Sequence, residues 1–338
     1  MKTIFAVDDS DTNLSLAKKA LEEYYRILTM PSAVKMFELL EKITPDLILL
    51  DIEMPEINGV EAFKKLKANH IHEQIPVIFL TGRNDTAIEA KCFELGAVDF
   101  ITKPFSAPVL LNRIKTYLNI DEIIHERTVQ LQRLQTGIVS VLADIVESRD
   151  KATDGHIERT TAYIRILLEA MKQRGVYADE IQNWDMEMVI LSARLHDMGK
   201  IAVSDVVLNK PDKLTGEEYE AIKSHADEGI KIIEKMVEQT GEAEFLQNAK
   251  LFAGYHHEHW DGTGYPRGLK GTDIPLQGRI MAVVDTYDAL VSRRSYKEAI
   301  TFEETERIIM ENAGKQFDPE IVRVFIEVKE QLRKAAGH

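Results

Sequence analysis

Residues 192–200 read SARLHDMGK, and this stretch decides how the larger part of the chain folds. An apolar helical run that includes Leu195 and Met198 carries a His196–Asp197 pair at its end. An imidazole and a carboxylate turned into a core are costly to bury unless they are paired or bound to a metal. Outward from this stretch the same demand recurs. His156 sits in GHIER, His225 in KSHADEG, His256 and His257 in HHEHWDGTGYP, and Asp285 in RIMAVVDTYDAL, with Asp288 three residues further along the helix. A lone helical histidine is ordinarily a surface group or a satisfied core residue. Five of them with two aspartates, all in apolar helical contexts, call for a shared partner.

Metal ions supply one. Neutral imidazole is the commonest metal ligand, and nitrogen and oxygen donors without thiolate favour iron, manganese or zinc. Two metals bridged by one carboxylate suit phosphoester cleavage. Lys200, four residues after His196, lies one helical turn from it, in reach of a phosphoryl oxygen. The surrounding periodicity predicts helices near residues 155–173, 179–198, 215–238, 242–257, 276–292, 301–313 and 318–335, an all-α half with few strand patterns.

Residues 1–120 have a different texture. Short apolar runs at Ile4–Val7, Arg26–Thr29, Leu47–Leu50, Val77–Leu80 and Val98–Ile101 alternate with helical stretches near 12–24, 34–42, 59–69, 85–95 and 106–118. Strands alternating with helices predict a five-stranded parallel α/β sheet. In such sheets ligands bind outside the carboxyl ends of the strands. Polar residues fall there: Asp8, Asp9, Asp51, Thr81 and Lys103. Three clustered carboxylates repel one another, and a hard cation such as Mg²⁺ relieves this through oxygen ligation.

Between the halves, Ile124, Leu131, Ile138 and Ile145 recur every seven residues. Ile120, Leu134 and Val141 form a second row, interrupted by Arg127. Residues 121–148 are either a single amphipathic helix packed on the next domain or a parallel coiled-coil seam pairing two chains. The second reading predicts a homodimer.

The bulk properties set limits. The chain has 338 residues, 44% hydrophobic and 29% charged, with a net charge of −14. That acidity argues against direct DNA binding, which needs clustered cations. The start lacks a signal-peptide pattern, and no apolar run is long enough for a membrane segment. Cys92 is the single cysteine, which suits a reducing cytoplasm.

Residues 1–120 resemble a response-regulator receiver domain, with a flavodoxin-like sheet. The matching residues are Asp8-Asp9, Asp51-Ile52-Glu53-Met54-Pro55 with Gly59, Thr81 and Lys103-Pro104. The resemblance implies that Asp51 accepts a phosphoryl group from a cognate histidine kinase. It implies further that Asp8, Asp9 and Asp51 hold Mg²⁺, that Thr81, Phe100 and Lys103 form the switch, and that the Lys103–Pro104 bond is cis. Residues 149–338 resemble an HD-GYP domain of the HD superfamily of metal-dependent phosphohydrolases. The match runs through His156…Arg159, His196-Asp197-Met198-Gly199-Lys200, His225, His256-His257-Glu258, Asp261 to Pro266, Arg279, Asp285 to Leu290 and Tyr296-Lys297.

That resemblance implies hydrolysis of cyclic di-GMP to pGpG or onward to GMP. Two divalent ions, iron or manganese, are expected. Asp197 bridges them, His196 and Asp285 hold one with His156 joining, and His225, His256 and His257 hold the other. Lys200 assists at the phosphate. Asp288, Arg294 and Lys297 contact the dinucleotide beside Tyr265, while His259 has no ligand role. Two departures stand out. Ala152 occupies a position where some relatives carry a glutamate serving a third metal, so two are expected here, and Ser295 replaces a proline. The expected whole is a response regulator with three parts: 1–120, 121–148 and 149–338. The competing readings are a signalling adaptor that binds cyclic di-GMP or a protein with little turnover, and a hydrolase of another cyclic dinucleotide.

Overall fold

The computed structural model describes residues 1–82, 93–150, 155–292 and 300–337. It divides into two compact units, Met1–Leu131 and Gln132–His338.

In the first unit the strands are β1 (Thr3–Val7), β2 (Arg26–Met30), β3 (Leu47–Asp51), β4 (Val77–Thr81) and β5 (Asp99–Thr102). They form one parallel sheet in the order β2-β1-β3-β4-β5. Alternate side chains of a strand point to opposite faces, and the two faces have separate cores. Phe5, Val7, Ile48, Leu50 and Phe79 pack with Met36 and Leu40 of α2 (Ala33–Leu40) and with Phe63 and Leu66 of α3 (Gly59–Lys67). Ile4, Ala6, Leu47, Leu49 and Ile78 pack with Leu14 and Leu21 of α1 (Asp11–Leu21) and with Leu110, Ile114 and Leu118 of α4 (Ala107–Arg149). Covered on both sides, β3 and β4 are buried throughout, so their sequences run apolar without alternating. The predicted helix near 85–95 lies mostly outside the described residues.

Gly59 shows a backbone constraint. Its amide donates to the carbonyl of Ile52 at 2.9 Å, and a Cβ there would sit 2.1 Å from the Asp51 carbonyl oxygen. Only glycine lets α3 start this close to the end of β3.

Helix α4 runs unbroken from Ala107 to Arg149 over 43 residues. The stretches predicted separately at 106–118 and 121–148 are therefore one element. In the second unit follow α5 (His156–Arg174), α6 (Ala178–Ile181), α7 (Met186–Ala193), a 3-10 turn (Met198–Ala202), α8 (Asp205–Leu208), α9 (Gly216–Lys223), α10 (His225–Thr240) and α11 (Glu244–Tyr255). After them come α12 (Leu276–Val291), α13 (Phe302–Glu311) and α14 (Pro319–Ala335).

The main core joins Tyr163 and Leu167 of α5 with Phe252 of α11, Ile280, Val283 and Val284 of α12 and Phe325 of α14. A smaller core ties Val139 and Val146 of α4 to Leu195, Met198, Ile233 and Ala253. Two helix predictions need correction. The stretch 179–198 breaks into α6 and α7, because Asp185 caps a new helix by accepting from the Met188 amide. The stretch 215–238 is α9 and α10, meeting at Ser224.

Candidate functional site

The His196–Asp197 pair does not end a helix. Helix α7 stops at Ala193, and the pair lies in the turn leading into the 3-10 segment that carries Lys200. Gly199 makes this possible: a Cβ there would sit 1.8 Å from the His225 carbonyl oxygen. The turn is thereby pressed against the start of α10, and Asp197 faces His225.

Asp197 lies between two groups of ligand atoms. Its Oδ2 is 3.4 Å from His196 Nε2, while its Oδ1 is 3.6 Å from His225 Nε2 and 3.9 Å from His256 Nε2. On one side His225, His256 and His257 offer ligand atoms within 4.8 Å of one another, and on the other side so do His156, His196 and Asp285. His156 is drawn in by α5, whose first residue it is. Its Nε2 lies 3.6 Å from Asp285 Oδ1.

The protonation pattern follows from the partners. His196 Nδ1 donates to the Ala193 carbonyl at 3.0 Å, His225 Nδ1 to that of Ile222 at 2.6 Å, and His256 Nδ1 to that of Phe252 at 2.9 Å. A carbonyl only accepts, so each Nδ1 carries the proton and each Nε2 of the neutral ring holds a lone pair. Burial keeps these rings neutral: it pushes His225 and His256 down to about 4 and lowers His196 and His257 as well. His156 Nε2 lies 3.3 Å from His196 Nε2, and the Nε2 atoms of His225 and His256, each with its lone pair, face each other at 3.2 Å. Lone pair against lone pair is repulsive in a buried pocket, and a cation between them relieves it. The donor set therefore fits divalent metal ions.

His156 behaves differently. Burial disfavours its charged form, but Asp288 and Asp285 outweigh this and raise it. Its Nδ1 lies 2.8 Å from Asp288 Oδ2. Asp288 also accepts from Arg159, at 2.6 Å from Nε and 2.9 Å from Nη2. The Asp288 carboxylate is buried, and its oxygens are engaged by His156 and Arg159.

Lys200 Nζ sits 2.8 Å from Asp197 Oδ2 and 2.8 Å from Asp150 Oδ2. Burial alone would lower its pKa, yet the two carboxylates raise it well above the ordinary lysine range. The Asp197 carboxyl is held far below the usual carboxylate range, since Lys200 and the histidines outweigh its burial.

The Tyr265 ring stacks on His257 with centroids 4.7 Å apart. Glu258, buried, holds the loop beyond it by accepting from the amides of Arg267 at 2.7 Å and Leu269 at 3.0 Å. His259 is not in either ligand group, and its Nδ1 lies 3.0 Å from Thr263 Oγ1. Arg279 is structural, its guanidinium 2.9 Å from Asp318 beneath the Tyr177 ring. Arg294, Lys297, Ala152 and Ser295 lie outside the described residues. Sequence reasoning missed Glu147 and Asp150, and it gave Arg159 and Glu258 no role of their own. Their partners are brought together only by the fold, as where Glu147 accepts from the His156 amide at 2.7 Å.

At the strand ends of the first unit, Asp8, Asp9 and Asp51 form a third group able to hold a cation. Lys103 Nζ lies 2.8 Å from Asp8 and 2.5 Å from Asp51. Burial pushes the Asp51 carboxyl up, Asp8 adds to this, and Lys103 opposes it. Asn13 holds Asp8 through two contacts of 3.0 and 3.1 Å. Thr81 Oγ1 is buried and has no hydrogen-bond partner among the described residues, so it is free to donate to an anion at Asp51. Phe100 packs edge-on to Phe93, and the Lys103–Pro104 bond is cis.

The comparisons with known proteins meet this geometry. The response regulator receiver domain profile matches residues 4–115, and the HD domain profile matches residues 140–321, more than half the chain.

The chain belongs to the HD domain family and carries a response regulator receiver domain.

Among relatives of this HD domain protein, a Vibrio cholerae protein named a probable cyclic di-GMP phosphodiesterase is 40% identical, over 97% of this chain and 78% of its own length. The cyclic di-GMP phosphodiesterase response regulator RpfG of Xanthomonas campestris is 35% identical over 86% of this chain and 78% of its own. A Vibrio cholerae 3'3'-cGAMP-specific phosphodiesterase 2 is 36% identical, over 59% of this chain and 36% of its own. No described helix is long and apolar enough to cross a membrane.

Proposed function

We propose that this response regulator hydrolyses cyclic di-GMP at the site around Asp197, to pGpG or GMP, under control of phosphorylation at Asp51. The observation that carries the reading is the Asp197 carboxylate, with one oxygen towards each of two histidine-rich ligand groups and Lys200 beside it. The names and coverage of the relatives support the substrate.

His225, His256 and His257 would hold one divalent ion, His156, His196 and Asp285 a second, and Asp197 both, with iron or manganese suited to nitrogen and oxygen donors. Bound there, such ions act as Lewis acids on phosphoryl oxygens and lower the pKa of water. The chain's own side chains do the rest. Asp288 keeps the His156 proton on Nδ1, so that Nε2 presents a lone pair. Lys200, fully charged, donates to a non-bridging phosphoryl oxygen and offsets charge that grows there in the transition state. Tyr265 would line the path of the dinucleotide, and Arg294 and Lys297, outside the described residues, would be its cationic contacts. These cations supply locally what an acidic chain lacks overall.

In the receiver, Asp8, Asp9 and Asp51 would hold Mg²⁺, and a histidine kinase would be the phosphoryl source. A phosphoryl group on Asp51 adds about −1.5 to −2 charge by analogy with other phosphorylated side chains. That draws on Lys103 and the unpartnered Thr81 hydroxyl, with Phe100 following. Residues 121–148 would pair two chains. Ile120, Ile124, Leu131, Leu134, Ile138, Val141 and Ile145 stay 47% to 65% exposed, whereas Val139, Ala143 and Val146 are buried. Helix α4 thus has one apolar face for its own domain and a second, of heptad spacing, left over. The working divisions are then 1–120, 121–148 and 149–338.

Purified protein loaded with Mn²⁺ or Fe²⁺ is expected to linearise cyclic di-GMP, and Asp197→Asn to lose that activity. Metal-loaded protein giving no product overturns the reading. Hydrolysis of 3'3'-cGAMP in preference, as the name of one relative suggests, would move the substrate to another cyclic dinucleotide. Binding without turnover would make the chain an adaptor. Acyl phosphate is expected to alter the activity of wild type and to leave Asp51→Asn unchanged.

A further inference from the structure

The last turn of α4 makes contacts that the hydrolytic reading does not use. Arg149 Nη1 donates to the carbonyls of Lys200 at 3.2 Å and Ile201 at 3.0 Å, and Nη2 donates to that of Val203 at 2.9 Å. Nε and Nη2 also reach Asp205 Oδ1, at 3.0 and 2.7 Å. The backbone of Arg149 is held in turn, its carbonyl accepting from Asn209 Nδ2 at 2.8 Å. The three carbonyls lie at the end of the 3-10 turn, where backbone acceptors run short of helical partners and only that of Lys200 accepts from a turn amide, Val203. One guanidinium, with its donors in a fixed planar fork, serves all of them.

Lys200 lies inside this clamp. Its carbonyl accepts from Arg149 and from the Val203 amide at 3.0 Å, while its ammonium is gripped by Asp150 at 2.8 Å. Consecutive residues at one helix end therefore hold the two ends of the same lysine. On its other side the turn cannot retreat, because Gly199 already touches the His225 carbonyl. The Arg149 clamp and the start of α10 fix the turn between them, and the position of the Lys200 ammonium follows.

We propose that Arg149 is a positioning residue for phosphodiester hydrolysis: its guanidinium fixes the 3-10 turn and, through the Lys200 carbonyl, sets the ammonium at the reacting phosphate. The inference rests on the hydrolytic reading above. Arg149 touches none of the metal-ligand groups and is 26% exposed at its side chain, so its removal leaves the ligands in place. What changes is the freedom of the turn. Misplacement of a catalytic group by about 1 Å can cost on the order of a hundredfold in rate.

The test uses the full chain loaded with Mn²⁺, assayed on cyclic di-GMP and on bis(p-nitrophenyl) phosphate, with bound metal and thermal stability measured in each variant. Arg149→Ala is expected to lower kcat at least about tenfold while KM moves less than about twofold, with metal content unchanged. Millimolar methylguanidinium is expected to restore part of the loss, which a misfolded variant would not show. Asp205→Asn, which removes the carboxylate steadying the guanidinium, is expected to give a smaller kcat loss of the same kind. The inference is overturned if Arg149→Ala keeps wild-type kcat, or if its loss appears in KM or tracks lost metal or lost folded protein. Wild type that turns over neither diester refutes the hydrolytic reading itself. Wild type that turns over either one leaves the variants to decide the role of Arg149.

Discussion

Replacing Asp288 with asparagine separates two readings of the site. A residue that contacts the dinucleotide would, when neutralised, raise KM. A residue that orients His156 would weaken metal binding and kcat instead. In the structure both carboxylate oxygens are engaged, one by His156 Nδ1 at 2.8 Å and one by Arg159 Nε at 2.6 Å. Hydrogen bonds to charged groups contribute about 1.5–3 kcal/mol each. The asparagine keeps the shape and one acceptor oxygen, so roughly one such bond is lost, together with the charge that favours a proton on Nδ1. At about 1.4 kcal/mol per decade, 1.5–3 kcal/mol is roughly a tenfold to hundredfold effect, the range seen when carboxylates behind metal-bound histidines are removed. The measurement is Mn²⁺ affinity by calorimetry, alongside kcat and KM for cyclic di-GMP. Affinity for metal falling by that factor with KM little changed is the expected result. Unchanged metal affinity with KM raised tenfold would refute the orienting role.

Three other outcomes are expected. The metal-free protein should lose stability as pH falls from 6.5 towards 4. His225 and His256 are held to about 4 by burial, so the unfolded chain binds their protons first and stability rises with pH across that window. Thermal denaturation in chelator at several pH values checks this, and a flat profile would count against the buried neutral rings. Gly199→Ala should destabilise by about 1–3 kcal/mol or more, the range for forcing extra volume into a packed site, and should also lower activity. The cause is the clash of its Cβ with the His225 carbonyl, and denaturant unfolding with an activity assay measures both. Leu134→Glu with Ile138→Glu should turn a dimer into a monomer by light scattering while leaving thermal stability close to wild type, since both side chains are more than half exposed.

Much of this protein was legible in its sequence because the chemistry needs particular residue types. Strands covered on both faces must be apolar throughout, so β3 and β4 announced a parallel sheet. The acidic residues and lysine at the strand ends have no structural reason to cluster. Imidazoles and carboxylates inside apolar helices also need a partner, so His156, His196, Asp197, His225, His256, His257 and Asp285 could be picked out with no knowledge of which faced which. Tertiary structure alone decided the pairings. Asp288 sits three residues from Asp285 and shares its helix, yet His156 and Arg159, more than 120 residues away in the chain, claim it. The His196–Asp197 pair reads as the end of a helix, but the fold spends it on a turn, because Gly199 lets that turn press against α10. Arg149 reads as one more charge at a helix terminus until the fold sets three backbone carbonyls against it. Composition and periodicity record what each residue must avoid, namely water for the apolar and lonely burial for the charged. Which partner satisfies a buried charge depends on elements distant in the chain, and only their packing determines it.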